Sequence, residues 1–325
     1  MRAALIGFGF ALASLLTPVE CPVQAANYPD RPVRIIVPFP PGGAVDLIAR
    51  VVAQKLSERL GGQFYVENLP GAGGDIGTRA AAAAPADGYT LEFVAPDFIV
   101  SPLVKAKVQF DPITSFAPVT LVAASQELIL VNPTVPAKNM KELIALLNEH
   151  AGKYNFATPG YATLADLEGT RLFALSYRLN VLHVPFQGMA PALTSTLAGQ
   201  TSIIFCPVAL AAPYIKDGTL RALATEGSQR SSRFPDVPTL AEAGIPNLDS
   251  EFVSGLLAPA KTPTDIIDLL QRQIAGILSL PEVKERLATI GFDPIASTPD
   301  EFAVWIKSET AKWTPVVHEA NVKID

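Results

Sequence analysis

The chain has 325 residues, of which 49% are hydrophobic and 17% charged, and its formal net charge is −6. This length is sufficient for one large or two medium-sized domains, each with its own hydrophobic core. The acidic balance lacks the basic surface that binds nucleic acid, so we expect no nucleic-acid partner. It does not exclude a small anionic ligand, because local backbone dipoles rather than net charge bind such ligands.

The N-terminal residues have the pattern of an export signal. Arg2 precedes the apolar run AALIGFGFALASLL and the polar stretch TPVECPVQAA. Val23 and Ala25 suit the −3 and −1 positions of a signal-peptidase site, so we predict a signal peptide over residues 1–25 and an exported mature protein. The alternative is an uncleaved membrane anchor, but the run is shorter than the roughly 20 residues that a span needs.

The cysteines and histidines of the chain indicate whether a disulfide or a metal site is possible. Removal of the signal peptide takes away Cys21 and leaves Cys206, so the mature chain cannot form an internal disulfide. His150, His183 and His318 are not at metal-ligand spacing from one another. We therefore predict neither a metal nor a cofactor.

Strand and helix patterns alternate along the chain from Arg31 onward. In order, the hydrophobic periodicity predicts VRIIVPF (strand), Ala44–Leu60 (helix, ended by Gly61–Gly62), QFYVENL (strand), Ile76–Ala84 (helix), DGYTLEFVA (strand), KELIALLNEH (helix), YNFAT (strand), LADLEGTRLFALSYRL (helix), NVLHVPF (strand), APALTSTLAG (helix), TSIIFC (strand) and, after a further helix, LRALAT (strand). This alternation is typical of parallel sheets covered by helices on both faces.

Two further helices are predicted near the C-terminus. Thr262–Pro263 and Thr298–Pro299 each place a capping hydroxyl before a proline at the first helical position. No flexible linker separates the predicted domains, so we expect the chain to cross between them on strands. The long apolar segments Val119–Val131 and Leu220–Thr225 are the predicted crossings.

The turn PFPPGG, between the first strand and the first helix, is a candidate binding element. Ligands of open parallel sheets bind beyond the carboxyl ends of the strands. Gly42 and Gly43 are expected to let a ligand approach the backbone and to leave their N–H groups uncovered, beside the positive end of a helix. PGAGGD, TPGYAT and PFQGMAP repeat this pattern. Four such turns facing a cleft predict a site for a small carboxylate, held by amides and bridging waters rather than by arginines.

Signatures of common enzymes do not occur in the sequence. The glycines of PGAGGDIG miss the GxGxxG register, no lysine follows a glycine cluster, and neither GxSxG nor HExxH is present. A thiol mechanism would pair Cys206 with His183, but a lone cysteine in IIFCPVA is typical of a small buried residue. We predict a non-enzymatic protein without catalytic residues. An exported hydrolase and a sensory or adhesive protein stay open as alternatives.

Four segments carry a family resemblance: YPDRPVRIIVPFPPGGAVDLIARVVAQKL, VENLPGAGGDIGTRAAAAAPADGYTL, HVPFQGMAPALTSTLAGQ, and FPDVPTLAEAGIP with GLLAPAKTP. In order and content they resemble the Bug family, the periplasmic substrate-binding proteins of tripartite tricarboxylate transporters. The resemblance implies an α/β, type II periplasmic-binding-protein fold, with two lobes of parallel-rich sheets joined by two crossing strands. We expect lobe 1 to comprise residues 26–124 and 227–325, and lobe 2 residues 125–226.

The resemblance also implies a function. A monomeric periplasmic receptor would capture a small organic acid between its lobes without catalysis, and deliver it to the membrane subunits of a tripartite tricarboxylate transporter. The acid would be a mono-, di- or tricarboxylate, an aromatic acid or an amino acid. Presentation of the ligand to a membrane sensor kinase is the alternative.

Ligand-binding positions are carried over from the family's loops. They correspond here to Phe39, Pro41, Gly42, Gly43, Asp46, Pro96, Asp97, Thr158, Gly160, Tyr161, Thr163, Asp166, Phe186, Gln187, Gly188 and Cys206. The sequence also departs from the family, which often has histidine in place of Asp166, aspartate in place of Cys206 and tryptophan near Val253. These changes remove polar partners from the distal part of the pocket, whereas Asp97 and Asp166 add carboxylates.

Several residues have a structural interpretation beside the functional one. An acid at Asp46, in the first turn of a helix, is stabilised by the helix dipole whatever the function. His183, on a predicted strand, is expected to be a hydrogen-bonded structural residue rather than a ligand contact. Arg31, Arg34 and Arg50 are predicted to lie away from the first loop and are not assigned to the site.

Overall fold

The fold is taken from a computed structural model, which describes residues 28–161, 163–245, 248 and 250–320. The predicted signal peptide and Cys21 lie outside the described residues. Among the helices that the structure describes, none has both the length and the apolar character that crossing a bilayer requires.

Ten strands are assigned in the described residues. They are β1 (Val33–Val37), β2 (Phe64–Asn68), β3 (Thr90–Val94), β4 (Phe116–Val131), β5 (Asn155–Thr158), β6 (Leu182–Pro185), β7 (Ile203–Pro207), β8 (Arg221–Thr225), β9 (Glu251–Pro259) and β10 (Asp293–Pro294). The seven strands predicted from hydrophobic periodicity are confirmed with shorter lengths, whereas the predicted segment Val119–Val131 forms part of the longer strand β4.

The helices cover the sheet and alternate with its strands. They are α1 (Ala44–Leu60), α2 (Asp75–Ala82), α3 (Asp97–Val104), α4 (Met140–Glu149), α5 (Leu164–Gly169), α6 (Met189–Leu197), α7 (Val208–Lys216), α8 (Thr264–Leu278), α9 (Pro281–Thr289) and α10 (Pro299–Ala320). A short 3₁₀ turn, Ala72–Gly74, precedes α2, and a π-helical segment, Thr170–Ser176, follows α5.

The strands form a mixed sheet in the order β2-β1-β3-β9-β4-β7-β5-β6. The β1–β2, β1–β3, β5–β6 and β5–β7 pairs are parallel, whereas every pair that includes β4 or β9 is antiparallel. The parallel strands therefore lie towards the two ends of the sheet, and the antiparallel strands join them in the middle.

Strand β4 belongs to two sheet sections. Its residues 116–126 pair with β9, and its residues 127–131 pair with β7. We call β1, β2, β3, β9, β10 and residues 116–126 the first sheet section, and β5 to β8 with residues 127–131 the second. The predicted crossing Val119–Val131 lies within this shared strand. The predicted crossing Leu220–Thr225 forms β8, which pairs with the second part of β4.

Each sheet section has helices packed on both faces. In the first section, one buried cluster joins the strands to α1 and α8, and another joins them to α2, α3 and α10. In the second, α4 and α5 cover one face, and α6 and α7 the other. A further apolar cluster, formed by residues of α3, α5 and α10, packs the helices of the two sections together.

The N-terminal caps of α8 and α10, the two helices predicted near the C-terminus, differ from each other. At α10 the predicted Thr298 cap is confirmed, because the Glu301 amide donates to the Thr298 hydroxyl at 3.2 Å. The Glu301 carboxylate in turn accepts from the Thr298 amide at 2.8 Å, which completes a reciprocal capping pair that was not predicted. At α8 the prediction is wrong, because Pro263 itself is the N-cap residue and the helix begins at Thr264. The Thr262 hydroxyl instead donates to the Pro259 carbonyl at 2.8 Å.

Candidate functional site

Two glycine-rich loops of the first sheet section lie side by side at its strand ends. The Asn68 side-chain amide, at the end of β2, donates to the Phe39 carbonyl at 3.0 Å. A Cβ atom built on Gly74 would lie 3.6 Å from Cζ of Phe39. The turns PFPPGG and PGAGG therefore form one continuous surface, in which Phe39 is half-buried and Pro41, Gly42 and Gly43 are exposed.

Asp46 organises the first loop from within. Its side chain is 2% exposed and accepts hydrogen bonds from the Gly42 amide, the Arg50 guanidinium and the Asn68 side chain, each at 2.9 Å. Burial raises the pKa of Asp46, but the hydrogen bonds from these three groups outweigh it and hold the pKa below its usual value. Asp46 is therefore an ionised residue that shapes the loop.

Two sequence expectations about this loop are wrong. The Gly42 amide is not uncovered, because the Asp46 carboxylate accepts its proton. Arg50 does not lie away from the loop, because one helical turn brings its guanidinium back to Asp46, with Nη2 at 2.9 Å from Oδ1. Both errors have one cause: an acid in the first turn of a helix can bind the loop before it and the base after it.

The free donors of this loop lie one residue further on. Gly43 is the N-cap residue of α1, and its carbonyl accepts the first helical hydrogen bond, from the Leu47 amide at 3.0 Å. The amides of Gly43, Ala44 and Val45 have no protein acceptor among the described residues, as is expected for the first turn of a helix. They are available to an anion at the strand ends.

The loops of the second sheet section are also paired. The Phe186 amide donates to the Thr158 carbonyl at 2.9 Å, and the Gly188 amide donates to the Pro159 carbonyl at 3.0 Å. The Thr163 hydroxyl donates to the Gly160 carbonyl at 2.8 Å, which closes the turn before α5. The turns TPGYAT and PFQGMAP thus form a second surface.

His183 and Asp166 lie beneath that second surface. Nε2 of His183 is 2.6 Å from the Thr158 hydroxyl, and Nδ1 is 3.4 Å from the Asp166 carboxylate. The His183 ring stacks on Phe156 and meets the Tyr161 ring edge-on. Burial lowers the pKa of His183, although Asp166 opposes this effect. His183 is therefore hydrogen-bonded within the protein, and its structural role rather than a ligand contact stays a prediction.

Asp97 joins the two sheet sections. It begins α3 in the first section, and its Oδ1 accepts a hydrogen bond from the amide of Leu164, which begins α5, at 3.0 Å. Burial raises the pKa of Asp97 to about 6, although the Leu164 amide and the charge of Lys105 favour the ionised form. The Asp97 carboxylate therefore accepts the hydrogen bond of the Leu164 amide at the start of α5, so this amide is not free to bind a ligand.

Contacts connect Asp97 to the loops of the first section. Lys105, at the end of α3, donates to the Asp75 carboxylate at 2.8 Å and to the Ala72 carbonyl at 2.7 Å. The Ser101 hydroxyl donates to the other Asp75 oxygen at 2.6 Å. A continuous series of contacts thus runs from the first loop through the PGAGGD turn and α3 to α5.

The remaining predicted residues have varied environments. Tyr161 is 59% exposed at its turn, and Gln187 is also exposed. Pro96 is buried as the N-cap residue of α3. Cys206 is fully buried at the end of β7, and burial together with the charge of Glu127 raises the pKa of its thiol. A ligand contact at these four positions stays a prediction.

Two participants were not predicted from the sequence. Asn68 holds both Phe39 and Asp46, and Leu164 contributes its backbone amide to Asp97. The sequence gives a signal for Asn68, since it is the polar residue at a strand end beside a glycine-rich turn. It gives none for Leu164, because a backbone donor carries no side-chain signature.

The fold and the site define a class of protein. An α/β fold whose two sheet sections share a strand, with strand-end loops from both sections linked through Asp97, is the architecture of a periplasmic solute-binding protein. The sequence profile of the tripartite tricarboxylate transporter family receptor matches residues 48–322. The chain belongs to this family.

Individual relatives are similar to this chain over nearly its whole length. Protein BugT of Bordetella pertussis is 35% identical over 323 residues, which cover 99% of this chain and 98% of the relative. The structure of the periplasmic binding protein BugD has a TM-score of 0.83 and 30% identity, and the match covers 91% of this chain and 99% of BugD.

Two similar structures contain organic acids. The Rhodopseudomonas palustris protein MatC, with bound malate, has a TM-score of 0.82 and 29% identity, covering 89% of this chain and 100% of MatC. The R. palustris protein Rpa4515, with adipate, has a TM-score of 0.84 and 29% identity, covering 90% of this chain and 98% of Rpa4515.

Proposed function

We propose that this chain is a periplasmic receptor that captures a small organic acid between two lobes. Lobe 1 comprises residues 26–124 and 227–325, and lobe 2 residues 125–226. The receptor delivers the acid to the membrane subunits of a tripartite tricarboxylate transporter. The observation that carries the proposal is the set of free amides at Gly43, Ala44 and Val45 beside the Asp46-ordered loop. The malate and adipate in similar structures support a carboxylate as the bound group.

One carboxylate of the ligand binds these amides. The positive end of the α1 dipole favours a negative charge there, and Phe39 supplies apolar surface next to it. Asp46 does not contact the acid directly, because its carboxylate is already saturated by three donors. The site therefore binds an anion through the peptide backbone, and arginine takes part only by holding Asp46.

The end of the ligand nearest to α5 meets a different environment. Asp97 already occupies the Leu164 amide, and Asp166 lies 3.4 Å from His183 behind the same turn. A second carboxylate on the ligand would be repelled by these acids when they are ionised. We therefore favour an acid with one carboxylate and a neutral or donor group at its far end.

A thermal-shift screen tests this function. The panel contains malate, adipate, monocarboxylates of matched length and, as controls, the corresponding neutral amides. We expect saturable stabilisation by at least one acid and none by its amide control, with the acid recovered chemically unchanged. Turnover of a panel member would instead support the exported hydrolase, and no stabilisation by any acid would contradict the receptor.

A further inference from the structure

Three buried glutamates from separate parts of the chain lie close together at the junction of the two sheet sections. Glu127 lies in β4 at the first position that pairs with the second sheet section. Glu168 lies in α5, and Glu226 directly follows β8. Their exposed fractions are 3%, 3% and 2%, respectively, so all three carboxyl groups are buried. We call them the glutamate cluster.

No salt bridge neutralises the cluster within the described residues. None of its members takes part in the salt bridges of this part of the chain. Oε2 of Glu127 has no hydrogen-bond partner there, and Glu168 shares a hydrogen bond with the Glu226 carboxyl group and a second one with the Ser250 side chain. Since an unpaired charge is strongly disfavoured in such a place, the cluster favours its protonated form.

The charged and titratable surroundings of the cluster are mostly acidic. Asp97 acts on Glu127 and Glu168 from α3, and the Cys206 thiol adjoins Glu127 from β7. A polar cavity of about 230 Å³ adjoins Glu226 and is lined also by Glu251, Glu309 and Lys312. Lys312 is the cation that acts on the cluster, and its ammonium is bound to Glu309 at 3.2 Å. The described residues contain no group of acids, histidines or cysteines arranged to hold a metal ion.

The cluster lies where the two sheet sections are connected. The Glu226 amide donates to the Glu127 carbonyl at 3.0 Å, and the Ser250 amide donates to the Glu226 carbonyl at 3.0 Å. Backbone hydrogen bonds therefore join β4, the residue after β8 and the residue before β9 at the cluster itself. Glu168 approaches from α5, whose neighbouring Leu167 packs against Trp313 of α10. All three glutamates belong to the proposed lobe 2, whereas Asp97 and Lys312, which act on them electrostatically, belong to lobe 1. A change in the angle between the lobes would therefore move the glutamate cluster relative to these two charged groups.

We propose that the packed arrangement of the two sheet sections is linked to proton uptake by Glu127, Glu168 and Glu226, so that lower pH favours this arrangement. If the proposed receptor function holds, closure around the acid strengthens as the pH falls. The row of acids from the cluster to Asp97 provides a route for this coupling, because Asp97 contacts the first residue of α5 in the proposed site.

Burial of the three glutamates determines how the folding equilibrium changes with pH. Burial raises the pKa of Glu168 to about 7, and burial with the neighbouring carboxylates raises the pKa values of Glu127 and Glu226 well above their usual range. The folded chain therefore keeps protons that the unfolded chain releases above its pKa of about 4.3. For each such proton, the equilibrium constant for folding falls about tenfold per pH unit as the pH rises towards the folded value.

Ligand-free unfolding between pH 5 and pH 8.5 tests the cluster. The proteins are wild type, Glu168→Gln, Glu127→Gln and Glu226→Gln, with Glu149→Gln as the matched control because Glu149 is exposed on α4. We expect the folding constant of the wild type and the control to fall with pH, and Glu168→Gln to reduce that fall between pH 5 and 7 by up to about tenfold per pH unit. A slope unchanged in all three cluster variants would overturn the proposal.

A second measurement does not depend on the variants folding. Calorimetric unfolding of the wild type at pH 6.5, in two buffers with different ionisation enthalpies, reports the protons released. We expect net release, and zero release or uptake would overturn the proposal. A cation that stabilises the wild type at pH 8 but not Glu168→Gln would also overturn it, since the cluster would then be a cation site. Because these measurements use no ligand, their failure is distinguishable from failure of the acid screen.

Discussion

Asp46 shows how one buried carboxylate can build a binding loop without touching the ligand. It holds the Gly42 amide before the helix, Arg50 one turn after it, and Asn68 from the neighbouring strand. The free amides of α1 are thereby fixed at the strand ends. The sequence predicted a stabilising acid at this position, but not its partners, because Asn68 is 22 residues away along the chain.

Replacement of Asp46 tests this role. Asp46→Asn removes the charge and turns an amide nitrogen towards donors, so we expect a loss of about 2 kcal/mol in the free energy of unfolding at pH 7. Because the folded pKa of Asp46 is lowered, its contribution is present above the unfolded value of about 3.9 and lost as the pH falls below it. Denaturant unfolding at pH 7 and pH 3 should show a difference between the two proteins that shrinks in acid. A difference of equal size at both pH values would contradict this account.

Asp97 offers a test of ligand choice at the residue scale. Asp97→Asn keeps an oxygen that can accept the Leu164 amide but removes the negative charge. We expect dicarboxylates such as malate to gain affinity by about tenfold relative to monocarboxylates, about 1.4 kcal/mol, because one repulsion is lost. Competition titrations with matched acid pairs measure this ratio. An unchanged ratio would show that Asp97 does not face the ligand.

At the scale of elements, local periodicity and glycine positions predicted most of the fold. Helix α1 has the predicted bounds, Ala44–Leu60, and Gly61 ends it in the left-handed conformation, with φ of 68°. Helix α3 was missed, because DFIVSPLV contains several β-branched residues and an internal proline at Pro102. A short apolar run of this kind does not distinguish a strand from a helix, so its assignment depends on tertiary packing.

Gly43 is the position at which α1 can be tested as a binding element. Its backbone is extended, with φ of −73°, and an added Cβ would meet the Pro40 carbonyl oxygen at an ordinary 3.5 Å. Gly43→Val should therefore fold normally but cover the free amides with its branched side chain. We expect at least about a tenfold loss of acid affinity, about 1.4 kcal/mol, with little change in melting temperature. Gly43→Ala is the control and should have a smaller effect.

The cap of α10 gives an independent stability prediction. Thr298→Ala removes the hydroxyl that accepts the Glu301 amide, so we expect a loss of about 1 kcal/mol in the free energy of unfolding. The control is Thr289→Ala, at an exposed position at the end of α9, which should cost less than about 0.5 kcal/mol. Equal losses in the two variants would mean that the capping pair does not stabilise α10.

At the scale of the whole molecule, the decisive contacts join residues that are far apart in sequence. Asp97 contacts an amide 67 residues away, and the glutamate cluster joins positions 127, 168 and 226. An acid within an apolar segment such as QELILV is an anomaly that the sequence does show. What it cannot show is that three such acids meet, because this follows from the path of β4 between the two sheet sections.

Lobe closure makes a prediction about overall dimensions. If contacts with the acid favour the closed form, small-angle X-ray scattering should show a smaller radius of gyration with saturating ligand than without it. The radius of gyration of Gly43→Val at the same ligand concentration should equal that of the protein without ligand. Identical dimensions of the wild type with and without ligand would argue against closure.

In the proposed receptor, backbone amides at the start of α1 bind a small carboxylate. Isothermal titration of the wild type and Gly43→Val with the acid that stabilises the protein most tests this binding directly. We expect saturable one-to-one binding to the wild type, with a dissociation constant on the order of micromolar, and strongly weakened binding to the variant. Equal affinity in the two proteins, or no saturable binding of any carboxylate to the wild type, would contradict it.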